Sequence, residues 1–199
     1  ANGWTATSEG RRRLTRVAFD FPRDLLGNIS LSMAVIPGGD EQQLVVSVGS
    51  TVRIFDRNMS TVGSFEYDGD INGSVPADSI AADEQFVYFT TGSEVRCLTH
   101  AGTKVRDRVL ALDKAVVCPV LAPGGLLFCV LFDETDASQD EIVALDAQTL
   151  QLRYRFGLSM LNHVLRMEVV GEELFVCDNG NDRIQVFSLA GEHLSLIHI

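Results

Sequence analysis

Leu174-Phe175-Val176-Cys177-Asp178-Asn179-Gly180-Asn181-Asp182-Arg183-Ile184-Gln185-Val186-Phe187 is two apolar runs separated by a polar turn. β-Branched and aromatic residues fill the runs, and Asn179-Gly180 suits the positive φ of a tight turn, so the stretch predicts an antiparallel hairpin. The second run ends on a bulky apolar residue, Phe187. A turn follows at Leu189-Ala190-Gly191, and an alternating stretch opens near Leu194. Toward the N-terminus the same order returns three times. Ile142-Val143-Ala144-Leu145-Asp146, Val95-Arg96-Cys97-Leu98-Thr99 and Val52-Arg53-Ile54-Phe55-Asp56 each end on a bulky anchor, then a turn, then a polar alternating strand. The anchors Phe55, Leu98, Leu145 and Phe187 lie 43, 47 and 42 residues apart.

Upstream of each anchor strand sits an almost continuously apolar run, at residues 44–48, 86–90, 126–131 and 174–177. A strand apolar on both faces is covered on both faces. A further strand precedes each of these, at 29–36, 79–82, 116–121 and 164–170, with a Gly- or acid-rich turn between. Four antiparallel strands recurring at about 40–45 residues predict an all-β chain, a β-propeller of four-stranded antiparallel blades stacked around an axis. A β-sandwich of short strands would not require a constant period. The expected blades cover residues 27–70, 71–112, 113–160 and 161–199, all in one propeller domain. Residues 1–26 are expected to end a preceding blade, with Leu14-Thr15-Arg16-Val17-Ala18-Phe19 alternating like an outer strand. About four blades make an incomplete, open ring, a piece of a larger propeller. The last blade is expected to be cut short after His193. Residues 194–199 look like a translated sequencing adapter and are set aside.

Charge narrows the function. The 16 Lys+Arg against 27 Asp+Glu give a net charge of −11. Residues 1–26 carry +2, from 5 basic and 3 acidic residues, so the remaining body stands at −13. Nucleic-acid binders present a basic footprint, so neither DNA nor RNA is an expected partner. The most apolar stretch, 121–132, is broken by Pro123-Gly124-Gly125 and is too short to span a bilayer. No charged segment precedes an apolar run at the N-terminus, so no secretory signal is visible and a cytoplasmic setting is expected. Cys97, Cys118, Cys129 and Cys177 form no Cys-x-x-Cys pair and have no histidine at zinc-ligand spacing. They read as small apolar strand residues in a reducing compartment, and neither metal nor cofactor is expected.

The quoted hairpin resembles the NHL repeat: an apolar strand, Asp-x-x-Asn-x-Arg, then Ile-x-Val-Phe. Asp178, Asn181 and Arg183 occupy the three polar positions. Asp78-Ser79-Ile80-Ala81-Ala82-Asp83 resembles the opening of such a blade less sharply. The hairpins at Gly49-Ser50 and Gly92-Ser93 are shorter and lack the Asp and Asn. The rhythm thus covers about 170 residues and the motif a single blade. The resemblance implies a propeller of about six blades that is mostly a binding platform. In relatives it serves protein contact, RNA recognition or occasionally catalysis.

Candidate binding residues follow from this placement. Arg183 can bridge back to Asp178 or Asn181 across the hairpin, as a turn staple or as part of a ligand-contacting loop. The third blade carries an insertion, residues 132–141, with five acids that include Asp133 and Glu134. Carboxylates suit a hard cation, but the Gly and spacing of an EF-hand loop are missing, so a solvated loop is expected. Asn162 and His163 open the last blade at the channel. One histidine is too few for a metal-dependent propeller lyase or lactonase, and no Gly-x-Ser-x-Gly, phosphate loop or His-Glu-x-x-His occurs. The expectation is a non-catalytic protein-interaction platform within a larger regulatory protein, bound by protein partners. A propeller enzyme and an RNA-binding propeller are the alternatives.

Overall fold

The computed structural model describes residues 5–6, 12–13, 31–37, 42–48, 51–66, 79–109, 114–133, 135–136 and 140–198. β1 (Thr5–Ala6) and β2 (Arg12–Arg13) form a two-stranded antiparallel sheet, and the other described strands form four larger sheets. The first sheet is β3 (Leu31–Ile36), β4 (Gln43–Val48), β5 (Thr51–Phe55) and β6 (Thr61–Glu66). The second is β7 (Ile80–Ala82), β8 (Phe86–Thr91), β9 (Glu94–Thr99) and β10 (Lys104–Val109). The third is β11 (Ala115–Ala122), β12 (Leu126–Phe132), β13 (Glu141–Asp146) and β14 (Leu152–Phe156). The fourth is β15 (Val164–Val170), β16 (Glu173–Asp178), β17 (Arg183–Ser188) and β18 (His193–His198). Each sheet is an antiparallel meander whose strands neighbour one another in chain order.

The anchors occupy equivalent places. Phe55 pairs with Leu44, Leu98 with Val87, Leu145 with Leu127 and Phe187 with Leu174, always the second residue of the sheet's second strand. All four anchors are buried. At each of them the pairing to the fourth strand slips by a residue, a bulge that sharpens the twist of the outer edge. The next residue, Asp56, Thr99, Asp146 or Ser188, then caps the turn. Its side-chain oxygen accepts the backbone N–H of Ser60, Thr103, Thr149 or Glu192. One residue per turn takes positive φ: Met59, Gly102, Leu150 and Gly191. Only two of these are glycine, so that part of the repeat is hidden from composition.

Side chains alternate across the central strands, and successive residues go to opposite neighbours. Val45, Val52 and Ile54 of the first sheet pack on Ile80, Val87 and Phe89 of the second. Tyr88, Val95 and Cys97 of the second meet Val116, Leu127 and Cys129 of the third. Phe128, Val130, Ile142 and Ala144 of the third meet Met167, Leu174, Val176 and Phe187 of the fourth. This is why the runs are apolar on both faces: each sheet buries one face on the sheet before it and one on the sheet after. Burying each such large side chain contributes about 1.5–3 kcal/mol. The innermost strands β3, β7, β11 and β15 touch in succession, so the four sheets fan around an axis as blades of an open β-propeller arc.

The alternating segment 14–19 lies outside the described residues. The last blade was expected to stop at His193, yet His193–His198 is its fourth strand, paired along β17. An extended segment satisfies the open N–H and C=O edge of β17 whatever its own side chains do, and all six of its residues are exposed. The four cysteines are free thiols. No helix among the described residues is long and apolar enough to cross a membrane.

Candidate functional site

Asp178 ends β16 and is fully buried. Its Oδ1 accepts the backbone N–H of Asn162 at 2.7 Å and the Asn181 amide at 3.0 Å. Its Oδ2 accepts Asn181 Nδ2 at 2.9 Å, Arg183 Nε at 2.7 Å and Gln185 Nε2 at 2.7 Å. Arg183 Nη2 and Gln185 Nε2 also reach the Met160 carbonyl, each at 2.8 Å. Burial alone would push the Asp178 carboxyl up. The donors from Asn181, Arg183, Asn162 and Gln185 outweigh it and hold the group below its ordinary value. The three motif residues are therefore brought together as a staple that pins the β16–β17 hairpin to the incoming linker, and Asp178 has no exposed atom to offer a ligand.

The turn itself differs from expectation. Residues Asn179–Asn181 form a single 3-10 turn, and the positive φ, 50°, falls on Asp182 rather than Gly180. Gly180 serves close approach instead. Its N–H donates to the Asn162 carbonyl at 2.8 Å, and a Cβ there would lie 2.5 Å from Asn162 Cγ.

A second carboxylate grips the same linker from the third blade. Asp140 is buried, and its Oδ2 accepts the Val164 N–H at 2.9 Å while Oδ1 accepts the Asp133 N–H at 3.3 Å. Burial raises the Asp140 pKa. The Val164 and Asp133 amides, His163 and Lys114 pull the other way without cancelling the rise. The amides of Asn162 and Val164 are thus held by carboxylates of two adjacent blades. Between them His163 takes φ of 53° and turns its exposed ring edge-on to Phe132, with centroids 5.8 Å apart. Asn162 takes part in these bonds through its backbone N–H and carbonyl.

In the acidic insertion, Asp133 is partly exposed and Thr135 and Asp136 are exposed, and the three close a local turn. Asp133 Oδ1 accepts Thr135 N–H at 2.9 Å, Thr135 Oγ1 at 2.7 Å and Asp136 N–H at 3.1 Å. Those bonds, the Thr135 hydroxyl first, lower the Asp133 pKa. Glu134 lies outside the described residues. Among the described residues no three His, Cys, Asp or Glu side chains are grouped to hold a metal ion.

Sequence reasoning missed a cavity of about 150 Å³ on the axis, walled by the innermost strands of all four blades. Ser32, Ser79, Cys118, Arg166 and Glu168 line it among apolar neighbours such as Met33 and Leu165. The wall is irregular. β11 skips its pairing between Val117 and Val120, where Cys118 takes φ of 54°, and β15 skips between Val164 and Arg166. Ser32 Oγ accepts the Ile80 N–H at 3.1 Å, and the Cys118 thiol donates to the Leu165 carbonyl at 3.2 Å. Burial raises the Cys118 pKa against the opposing pull of Arg166 and Ser79, so the sulfur is a protonated donor rather than a nucleophile.

No protein-family model and no curated protein sequence matches the chain. Among solved structures it is similar to a protein of unknown function from Bacteroides caccae, with a TM-score of 0.65 and 12% identity over 97% of this chain and 73% of that one. It is also similar to Hsv2 of Kluyvelomyces marxianus, with a TM-score of 0.51 and 13% identity over 77% of this chain and 48% of that one. A looser likeness, with a TM-score of 0.48 and 15% identity, is to the WD40 repeats of RRP9. The chain thus spans about half the length of Hsv2. At these identities the shared property is the fold, a β-propeller of four-stranded antiparallel blades.

Proposed function

We propose that the chain is a non-catalytic, NHL-like propeller segment that serves as a protein-interaction platform within a larger regulatory protein. One observation carries the reading. The polar hairpin machinery is consumed inside the chain, while the linker it pins displays Leu158 and Met160 at 50% and 39% exposure beside exposed His163. A rigid rim with apolar tips and few charges has the composition of an interface core. The acidic body around it favours a protein partner with a basic or mixed surface.

The test places a photo-crosslinking residue at Leu158 and compares it with Leu158→Asp plus Met160→Asp. Crosslinks to a defined protein that vanish in the double variant, with an unchanged urea midpoint, support the platform. Crosslinking that is absent, or equal in both, overturns it.

A further inference from the structure

Arg166 and Glu168 both line the axial cavity from β15. Among the described residues no carboxylate is seen within ion-pair distance of Arg166, whose charge is felt by the Cys118 thiol, and no cation is seen within ion-pair distance of Glu168. That sets Arg166 apart from Arg96, Arg153, Arg155 and Arg183, each of which holds a carboxylate of the chain. With no carboxylate of the described residues holding it, Arg166 stands on the axis as a recognition group. Residues two apart on a strand share a side, about 7 Å apart along it. The two groups therefore present a positive and a negative head at neighbouring stations, and they do not close on each other. The Ser32 and Ser79 hydroxyls on the same wall add polar partners, and Met33 and Leu165 add an apolar flank.

Size decides the ligand class. The space is about 150 Å³ and opens to solvent beside the exposed Arg166 and Glu168, smaller than the roughly 300–1,000 Å³ of sites that enclose drug-sized ligands or cofactors. A water claims about 30 Å³ in the liquid, so the space is that of a few waters or one small molecule. A simple anion would satisfy Arg166 but meet the Glu168 charge, and a simple cation would meet the reverse. We propose that the axial cavity binds a small zwitterion of the free α-amino acid type, its carboxylate on Arg166 and its ammonium on Glu168. This goes beyond the platform reading and does not depend on it.

The test is calorimetric titration of the whole chain with alanine, alongside acetate and methylamine as the two half-ligands. Alanine should bind saturably, with each half-ligand weaker by roughly tenfold or more. Arg166→Gln and Glu168→Gln should each weaken alanine by a similar factor, while Arg155→Gln, whose partner is Glu141, leaves it unchanged. Both cavity residues are exposed, and matching urea midpoints for the variants would show that the fold is retained. Absence of alanine binding at millimolar concentration, acetate binding as tightly as alanine, or indifference to Arg166→Gln would each overturn the proposal. None of these outcomes bears on crosslinking at Leu158.

Discussion

Replacing Asp178 by Asn tests whether the hairpin staple holds the last blade. The carboxylate takes five hydrogen bonds from four donors, two of them, Arg183 Nε and Gln185 Nε2, on Oδ2 at 2.7 Å. An Asn oxygen can still accept from the Asn162 amide. Its NH2 must then face Arg183 and Gln185, donor against donor, and a guanidinium is left without its counter-charge. Breaking a buried pair from one side costs about 3–5 kcal/mol. For a chain of this size each kcal/mol moves the midpoint by about 2–4 °C, so Tm should fall by roughly 6–20 °C. Urea unfolding followed by circular dichroism reads the loss directly. Arg183→Gln should cost less in the Asp178→Asn background than alone, with a coupling of about 0.5–3 kcal/mol. A loss under about 0.5 kcal/mol, or strict additivity of the two changes, would refute the staple.

Other expectations follow from single contacts. Asp178 and Asp146 are held below the ordinary carboxylate value, Asp146 to about 2 by Arg153 and Thr149, so their stabilisation is present above pH 3.8 and fades as pH falls through the folded values. Asp140 runs the other way: its folded pKa is raised, the folded state holds the extra proton above pH 3.8, and stability drops as pH rises through that window. Asp140→Asn keeps an acceptor for Val164 and should flatten this part of a urea-midpoint profile; an unchanged slope counts against it. At Gly102, φ is 79° and a new Cβ would lie 2.5 Å from Phe65 Cβ, whereas at Gly124, with φ of 81°, nothing lies within 4 Å. Gly124→Ala should cost about 1–2 kcal/mol for the left-handed backbone alone, and Gly102→Ala more by a further 1–3 kcal/mol, roughly, for the clash; equal losses would deny the contact. Thr90 Oγ1 is buried with no hydrogen-bond partner among the described residues, so Thr90→Val should stabilise by about 1 kcal/mol, and a loss would mean the hydroxyl is satisfied.

The blade rhythm was readable because anchors such as Phe55 and Phe187 announce themselves by size and spacing. The doubly covered central strands also cannot tolerate a polar alternation. Asp178, Asn181 and Arg183 were readable as a set, since a short polar motif in an apolar run must satisfy itself. Its remaining partners were not. Gln185 looks like an ordinary polar member of a strand, and the Met160 carbonyl carries no side-chain signature. Asp140 was hidden in an acidic stretch, where charge suggests solvent; only the fold shows that this one carboxylate turns inward to the Val164 amide. The axial cavity was beyond reach for a different reason. It is made by four strands from four blades, with backbone bulges at Cys118 and Leu165, and neither register nor inter-blade geometry is local.

The self-capped turn after each anchor has an evolutionary consequence. Asp56, Thr99, Asp146 and Ser188 close their turns with their own oxygens, so each blade ends without borrowing a cap from the next. A gene segment cut just beyond such a turn and copied in tandem would encode a unit already finished at its rim, needing only an apolar neighbour on either flank. Lineages built from these cassettes can gain or shed copies and let their letters drift far apart while the ring geometry persists.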